Sequence, residues 1–366
     1  MKFKIMITPY AIIAHSLLCI ASTASATGIY DGDIAEAHRY PYATSLQTDE
    51  GVPFCGGSLI APDVILSAGH CQRGEKNWLG KTKWKYKAII GRQSLNEEEE
   101  GGEYYVRKEV LHPEYFQDGE QGVVQLASGW SSLRIDNDFM LIFLKKSVAS
   151  DDVKLVQLNS DVAVPNGDIS LTVMGWGDTV VGEAFVQSNT LLEARGRAIP
   201  NDECLTRRGK QFTYEGAITP RELCVDELSV YEYHSRHQGM CSGDSGGPLI
   251  VRGDSPEDDL QVGLVSWGAC GSNTELPGVY ARVSSRYEWI VEEVCKSSKD
   301  PPSYYNCPPR ESSLPVFPIV LGSIIGIVIV AVAVASAFFV RRRKRSKEEE
   351  AFLVDTSPAL LDTNIL

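Results

Sequence analysis

Between residues 29 and 295 the chain repeats one pattern, a short apolar run followed by a cluster of Gly, Asp, Asn or Pro. Gly57-Ser58-Leu59-Ile60, Val64-Ile65-Leu66-Ser67, Ser170-Leu171-Thr172-Val173-Met174 and Val262-Gly263-Leu264-Val265 are examples. Many short strands separated by turn signals predict an all-β sandwich or barrel. One stretch breaks the pattern. Residues 284–294 place Tyr287, Ile290, Val291 and Val294 at i, i+3, i+4 and i+7, which predicts a helix.

The two ends follow other rules. Lys2 and Lys4 precede a mostly apolar stretch over 5–20, and Ala24-Ser25-Ala26 follows, so residues 1–26 read as a secretory signal. Residues 319–340 are 22 apolar or small positions without a charge or proline. As a helix they would be about 33 Å long, enough for a hydrocarbon core of ~30 Å. Arg341-Arg342-Arg343-Lys344-Arg345 follows at once, which predicts a cytoplasmic C-terminus. The expectation is a single-pass type I membrane protein of the secretory pathway, with its globular part extracellular or lumenal and its bilayer contact over 319–340. Gly322 and Gly326 form a G-x-x-x-G pair that could join two copies as a homodimer. Residues 296–318 hold six prolines and read as a stiff stalk, and 341–366 as a short cytoplasmic tail.

The formal charge is −13, and residues 1–26 and 341–366 are both slightly positive, so the acidic excess lies between them. That excludes the basic footprint of a nucleic-acid binder. Of the nine cysteines, Cys19 falls in the signal, which leaves eight. No C-x-x-C pair occurs, so disulfides in an oxidising compartment fit better than zinc or redox chemistry. Glu97 to Glu100 is a run of adjacent carboxylates and defines no calcium sphere. No metal or cofactor is expected.

The candidate chemistry centres on Gly239-Met240-Cys241-Ser242-Gly243-Asp244-Ser245-Gly246-Gly247-Pro248-Leu249-Ile250. A serine in a glycine-rich turn can present its hydroxyl and its amide N–H to one point, as a nucleophile with its own oxyanion donor requires. Three other pieces join it: Ser67-Ala68-Gly69-His70-Cys71, Asp136-Asn137-Asp138-Phe139 and Ser266-Trp267-Gly268. Together they run in the chain order His, Asp, Ser.

With these motifs, residues 29–294 resemble a trypsin-like (chymotrypsin-fold) serine endopeptidase. The resemblance implies two antiparallel six-stranded β-barrels with a C-terminal helix, here followed by one transmembrane helix. It implies Ser245 as nucleophile, His70 as general base and Asp138 as its orienting partner. The amides of Gly243 and Ser245 would form the oxyanion hole. Ser266 would support the aspartate, and Ser266, Trp267 and Gly268 would pair with the substrate backbone. Disulfides Cys55–Cys71, Cys204–Cys224 and Cys241–Cys270 are implied, leaving Cys295 and Cys307 as the remaining pair. Polypeptide substrates and proteinaceous inhibitors would be the partners.

Two departures from the family pattern stand out. Activation would pair the Ile29 amine with Asp244, yet Ile29-Tyr30-Asp31-Gly32 follows no Lys or Arg. Signal cleavage after Ala26 would leave Thr27-Gly28 as a two-residue propeptide, removed next; a direct cut after Gly28 is the alternative. The base of the primary pocket is Gly239, where trypsins carry an aspartate. Met240 would line its wall and Gly278 its mouth, which predicts a non-tryptic, apolar or aromatic preference. The rival reading is an inactive protease-like module for surface binding or adhesion.

Overall fold

The β-rich pattern closes into two barrels in a computed structural model. The structure describes residues 29–354 except 31, 77–81, 84, 118–122, 126–130, 134, 150–153, 168, 180–185, 210–212, 228–237, 269, 271–275 and 310–316. Residues 1–28, and with them the expected signal and propeptide, lie outside the described residues, as does the chain after 354.

The first barrel is built from β1 (Ala43–Thr48), β2 (Pro53–Ala61), β3 (Val64–Ser67), β4 (Tyr86–Ile90), β5 (Gly102–Leu111) and β6 (Met140–Leu144). Their order is β6-β3-β2-β1-β4-β5, and pairing of β5 with β6 closes the ring. Strand β6 reads Met-Leu-Ile-Phe-Leu and is buried throughout. A run without polar alternation suits a strand covered on both faces.

The second barrel uses β7 (Ser170–Gly175), β8 (Leu192–Ile199), β9 (Glu222–Glu227), β10 (Pro248–Val251), β11 (Leu260–Trp267) and β12 (Gly278–Arg282). The order β8-β7-β10-β11-β12-β9 closes through β8 and β9. The two six-stranded antiparallel barrels are those that the sequence resemblance implies.

Polar contacts lock the barrels together. Ser58 of β2 donates to Gln261 Oε1 of β11 at 2.7 Å. Asp259, fully buried just before β11, accepts Arg39 Nη1 at 2.6 Å, Arg39 Nη2 at 2.7 Å and the Tyr42 hydroxyl at 2.6 Å. Such a pair is supported because its hydrogen bonds replace the water that both ions lost.

Helix α1 (Asn201–Thr206) precedes β9, and α2 (Tyr287–Ser297) packs Ile290 and Val294 into the first barrel's core. The boundary of the folded domain then departs from expectation. Residues 298–308 are not free stalk. Ser298 Oγ and the Lys299 amide both donate to buried Asp63, Tyr305 is buried, and Cys295 is bonded to Cys307. Prolines there shape a packed strap instead of a spacer, and the unit runs to Pro308.

The second unit holds helix α3 (Phe317–Val354). Side chains of its apolar run are described from Val328 onward, so Gly322 and Gly326 lie outside the described side chains. Among the described residues no helix is long and apolar enough to cross a membrane.

Candidate active site

Each site residue lies beside one end of a buried strand, His70 after β3, Asp138 before β6 and Ser245 before β10. Strand β3 delivers a short helical turn, Gly69–Cys71, that carries His70. The Cys55–Cys71 disulfide ties this turn to β2. Asp138 precedes β6, after Asn137 has turned the chain with φ +52°. Phe139 and all of β6 are buried, so the carboxylate is anchored against the core.

The two side chains meet. His70 Nδ1 lies 2.7 Å from Asp138 Oδ2, and the His70 amide donates to Oδ1 at 2.9 Å. Ser266, next to the last residue of β11, donates its hydroxyl to Oδ2 at 2.6 Å. A carboxylate so placed holds the proton on Nδ1 and leaves Nε2 free to accept one. Burial opposes the charge on both partners. The His70 charge, its hydrogen bonds and the Ser266 hydroxyl outweigh it, and Asp138 lies below the usual carboxylate range. Likewise Asp138 outweighs the burial of His70 and raises the imidazole above its ordinary value.

Ser245 lies on a turn clamped by both barrels. Its carbonyl accepts the Gly56 amide of β2 at 2.7 Å, and the next amide, of Gly246, donates to Val265 of β11 at 2.8 Å. Gly246 has φ +81°, and a Cβ there would sit 2.4 Å from Ser67 Oγ. The close approach therefore demands glycine, and it brings the serine turn against the end of β3, where the His70 turn begins. Gly243, with φ +96°, precedes it.

Asp244 is buried at 1% exposure. Its Oδ1 accepts the Gly177 amide at 2.8 Å and its Oδ2 the Cys241 amide at 2.9 Å. Gly177 must lack a side chain, since a Cβ would fall 2.5 Å from the carboxyl group. No ion pair to Asp244 occurs among the described residues. Burial pushes its carboxyl up to about 7, the two amides oppose this, and the charge of Asp178 adds to it. Ile29 is fully buried in the second barrel's cluster with Met240, and Tyr30 bridges to Gly239.

Met240 is buried beside Gly239. A Cβ on Gly268 would meet the Met240 methyl at 2.5 Å and the Gly278 Cα at 3.5 Å. Met240 thus packs its methyl against the space that a side chain on Gly268 would need. Disulfides Cys241–Cys270 and Cys204–Cys224 flank this region.

Metal ligation finds little support. The metal-like cluster among the described residues is Cys55, His70 and Cys71, but its two sulfurs are bonded to each other. In the loop with Glu97 to Glu100, buried Arg92 donates to the carbonyls of Glu100 at 2.8 Å, Leu95 at 3.4 Å and Glu98 at 3.5 Å. A guanidinium already occupies the inward carbonyls.

Comparison with known proteins decides the lineage. A family model described as Trypsin matches residues 29–290. The chain belongs to the trypsin family. It is 31% identical over 260 residues to a trypsin of Squalus acanthias, covering 70% of this chain and 92% of that protein. Trypsin-4 of Rattus norvegicus is 31% identical over 274 residues, covering 74% and 91%. The solved structure of neuropsin, a serine protease of mouse brain, matches with TM-score 0.57 and 27% identity, covering 73% of this chain and all of that one. As a member of the trypsin family, the protein is a serine endopeptidase.

Sequence reading missed two neighbours of Trp267. Tyr214 stacks edge-on against Trp267 at 5.0 Å between ring centres, and Glu222 accepts the Trp267 indole N–H at 3.3 Å. Neither position carries a motif. A charged residue opening a strand looks solvent-facing until its neighbours are known.

Proposed function

We propose that this endopeptidase uses Ser245, His70 and Asp138 as its triad and acts while tethered to a membrane. Ser245 Oγ attacks the scissile carbonyl carbon as its proton passes to His70 Nε2. Asp138 stabilises the imidazolium, and the Gly243 and Ser245 amides donate to the oxyanion, a contribution of roughly 3–4 kcal/mol per donor. Collapse breaks the C–N bond, and the leaving amine takes the proton from His70. Water then attacks the acyl-enzyme, gives its proton to His70, and Ser245 recovers its hydrogen as the acid leaves.

The observation that carries this reading is the Ser266–Asp138–His70 hydrogen-bond chain beside the clamped serine turn. A fluorophosphonate probe tests it: the wild-type chain is labelled and Ser245→Ala is not. Unlabelled wild-type protein with an intact N-terminus at Ile29 would favour an inactive binding module.

Specificity follows from Gly239 and Met240. With no carboxylate at the pocket base, an apolar residue before the scissile bond is preferred over Lys or Arg. A peptide-library profile dominated by basic residues overturns this.

Activation follows from Asp244. A charged Ile29 amine would supply the cation that the buried acid lacks, once signal cleavage and loss of Thr27-Gly28, or a single cut after Gly28, exposes it. Fully active enzyme that begins at Thr27 contradicts both routes.

The tether is residues 319–340, supported by their apolar sequence, the helical backbone of α3 and the five cations that follow. Resistance to alkaline extraction from membranes is expected, and release into the supernatant refutes it.

A further inference from the structure

Behind the strand that would receive substrate lies an acid the triad does not use. Glu222 opens β9 and is 3% exposed. Its Oε1 accepts the Trp267 indole N–H at 3.3 Å, and its Oε2 accepts the Thr219 amide at 2.6 Å. Both oxygens thus face donors, an arrangement that suits a carboxylate. In the neutral acid one oxygen becomes a hydroxyl, a weaker acceptor whose proton finds no acceptor in either donor.

The indole has a second support. Tyr214 meets it edge-on and donates its hydroxyl to the Pro277 carbonyl at 2.7 Å, one residue before Gly278. Glu222, Tyr214 and Trp267 therefore form one connected wall beneath the cleft. The charged groups around Glu222 are already engaged. Arg221, the residue just before β9, holds Asp136 through Nε at 2.8 and 3.1 Å. Strand β12 faces Glu222 through Ala281. From α1, the Asn201 amide reaches its backbone carbonyl at 3.2 Å. Tyr115 and Tyr214 are the titratable groups of the same apolar cluster, and no ion pair to Glu222 occurs among the described residues. Burial first, then the charge of Asp136, push its carboxyl up to about 8 against the Thr219 and Trp267 hydrogen bonds.

We propose that Glu222 is a positioning residue for the substrate strand: as a carboxylate it fixes the Trp267 indole, and as a neutral acid it loosens it. Peptide binding therefore tightens as pH rises, separately from the ionisation of His70. The proposal rests on the reading of Ser266, Trp267 and Gly268 as the strand that pairs with substrate.

The test is KM and kcat of the processed enzyme on an extended peptide amide, across roughly pH 6–10. Wild-type KM is expected to fall several-fold with a midpoint near about 8, while kcat follows His70 alone. Glu222→Gln keeps the shape and removes the charge, so its KM stays at the low-pH value and the kcat midpoint does not move. Deprotonation of the Ile29 amine would raise KM instead, the opposite sign. A wild-type KM that ignores pH, or a step that persists in Glu222→Gln, overturns the proposal. Insensitivity of KM to Trp267→Ala would instead overturn the substrate-strand reading on which it rests.

Discussion

Two aspartates, one beside the His70 turn of the first barrel and one beside the Ser245 turn of the second, are equally buried at 1% exposure and are pushed in opposite directions as acids. Asp138 accepts a histidine ring, a hydroxyl and an amide, and is held below the usual carboxylate range. Asp244 accepts two amides, has Asp178 nearby, and is pushed up to about 7. Desolvation acts the same way on both. The difference is the His70 imidazole, which can carry a proton at Asp138 and has no counterpart at Asp244 among the described residues. Burial sets the cost of a charge, and the partner decides whether the charge persists.

The sharpest way to break this comparison is Asp138→Asn. An amide cannot hold the Nδ1 proton, so turnover should fall about 10⁴-fold with the fold intact. A loss below about tenfold would mean that the pair does not orient His70. A third buried aspartate extends the contrast to stability. Asp259 is paired with Arg39, so Arg39→Met should destabilise by about 3–5 kcal/mol in urea unfolding, because it strands a buried charge.

Asp244 predicts a pH trend of defined sign in the chain uncut before Ile29. Its folded value is raised from 3.8 to about 7, so its contribution to stability is greatest below 3.8 and declines as pH rises towards 7. Asp244→Asn should remove that decline in a series of Tm measurements; an unchanged decline would assign it to another group. Asp138, with a lowered value, should stabilise above 3.8 and lose that contribution in stronger acid. The smallest expected effect is a shift. Because Asp138 raises His70 and catalysis needs the neutral ring, kcat/KM should rise with pH through a midpoint above 6.5. A midpoint below 6.5 would put burial ahead of the Asp138 charge.

How much of the molecule was legible beforehand depends on whether its signal is local. The apolar runs that became β2, β3, β7 and β11 announce strands, and the 284–294 periodicity announces α2. Gly-Asp-Ser-Gly-Gly-Pro, with His70 and Asp138 upstream, carries the family resemblance. The strap over 298–308 was not legible, since prolines spell spacer or packed turn alike until Asp63 is known to bind Ser298 and Lys299 beside them. Arg92 is a similar case: the sequence displays four glutamates, and the fold turns a guanidinium inward to their backbone.

The sequence by itself determined the strand pattern and the chain order of His70, Asp138 and Ser245, because each is written in short local motifs. The tertiary structure alone decided the charges. Asp138, Asp244 and Glu222 are three acidic letters of equal standing in the chain. A carboxyl group's charge depends on the groups brought to it from distant strands and on the water removed, and neither is encoded locally.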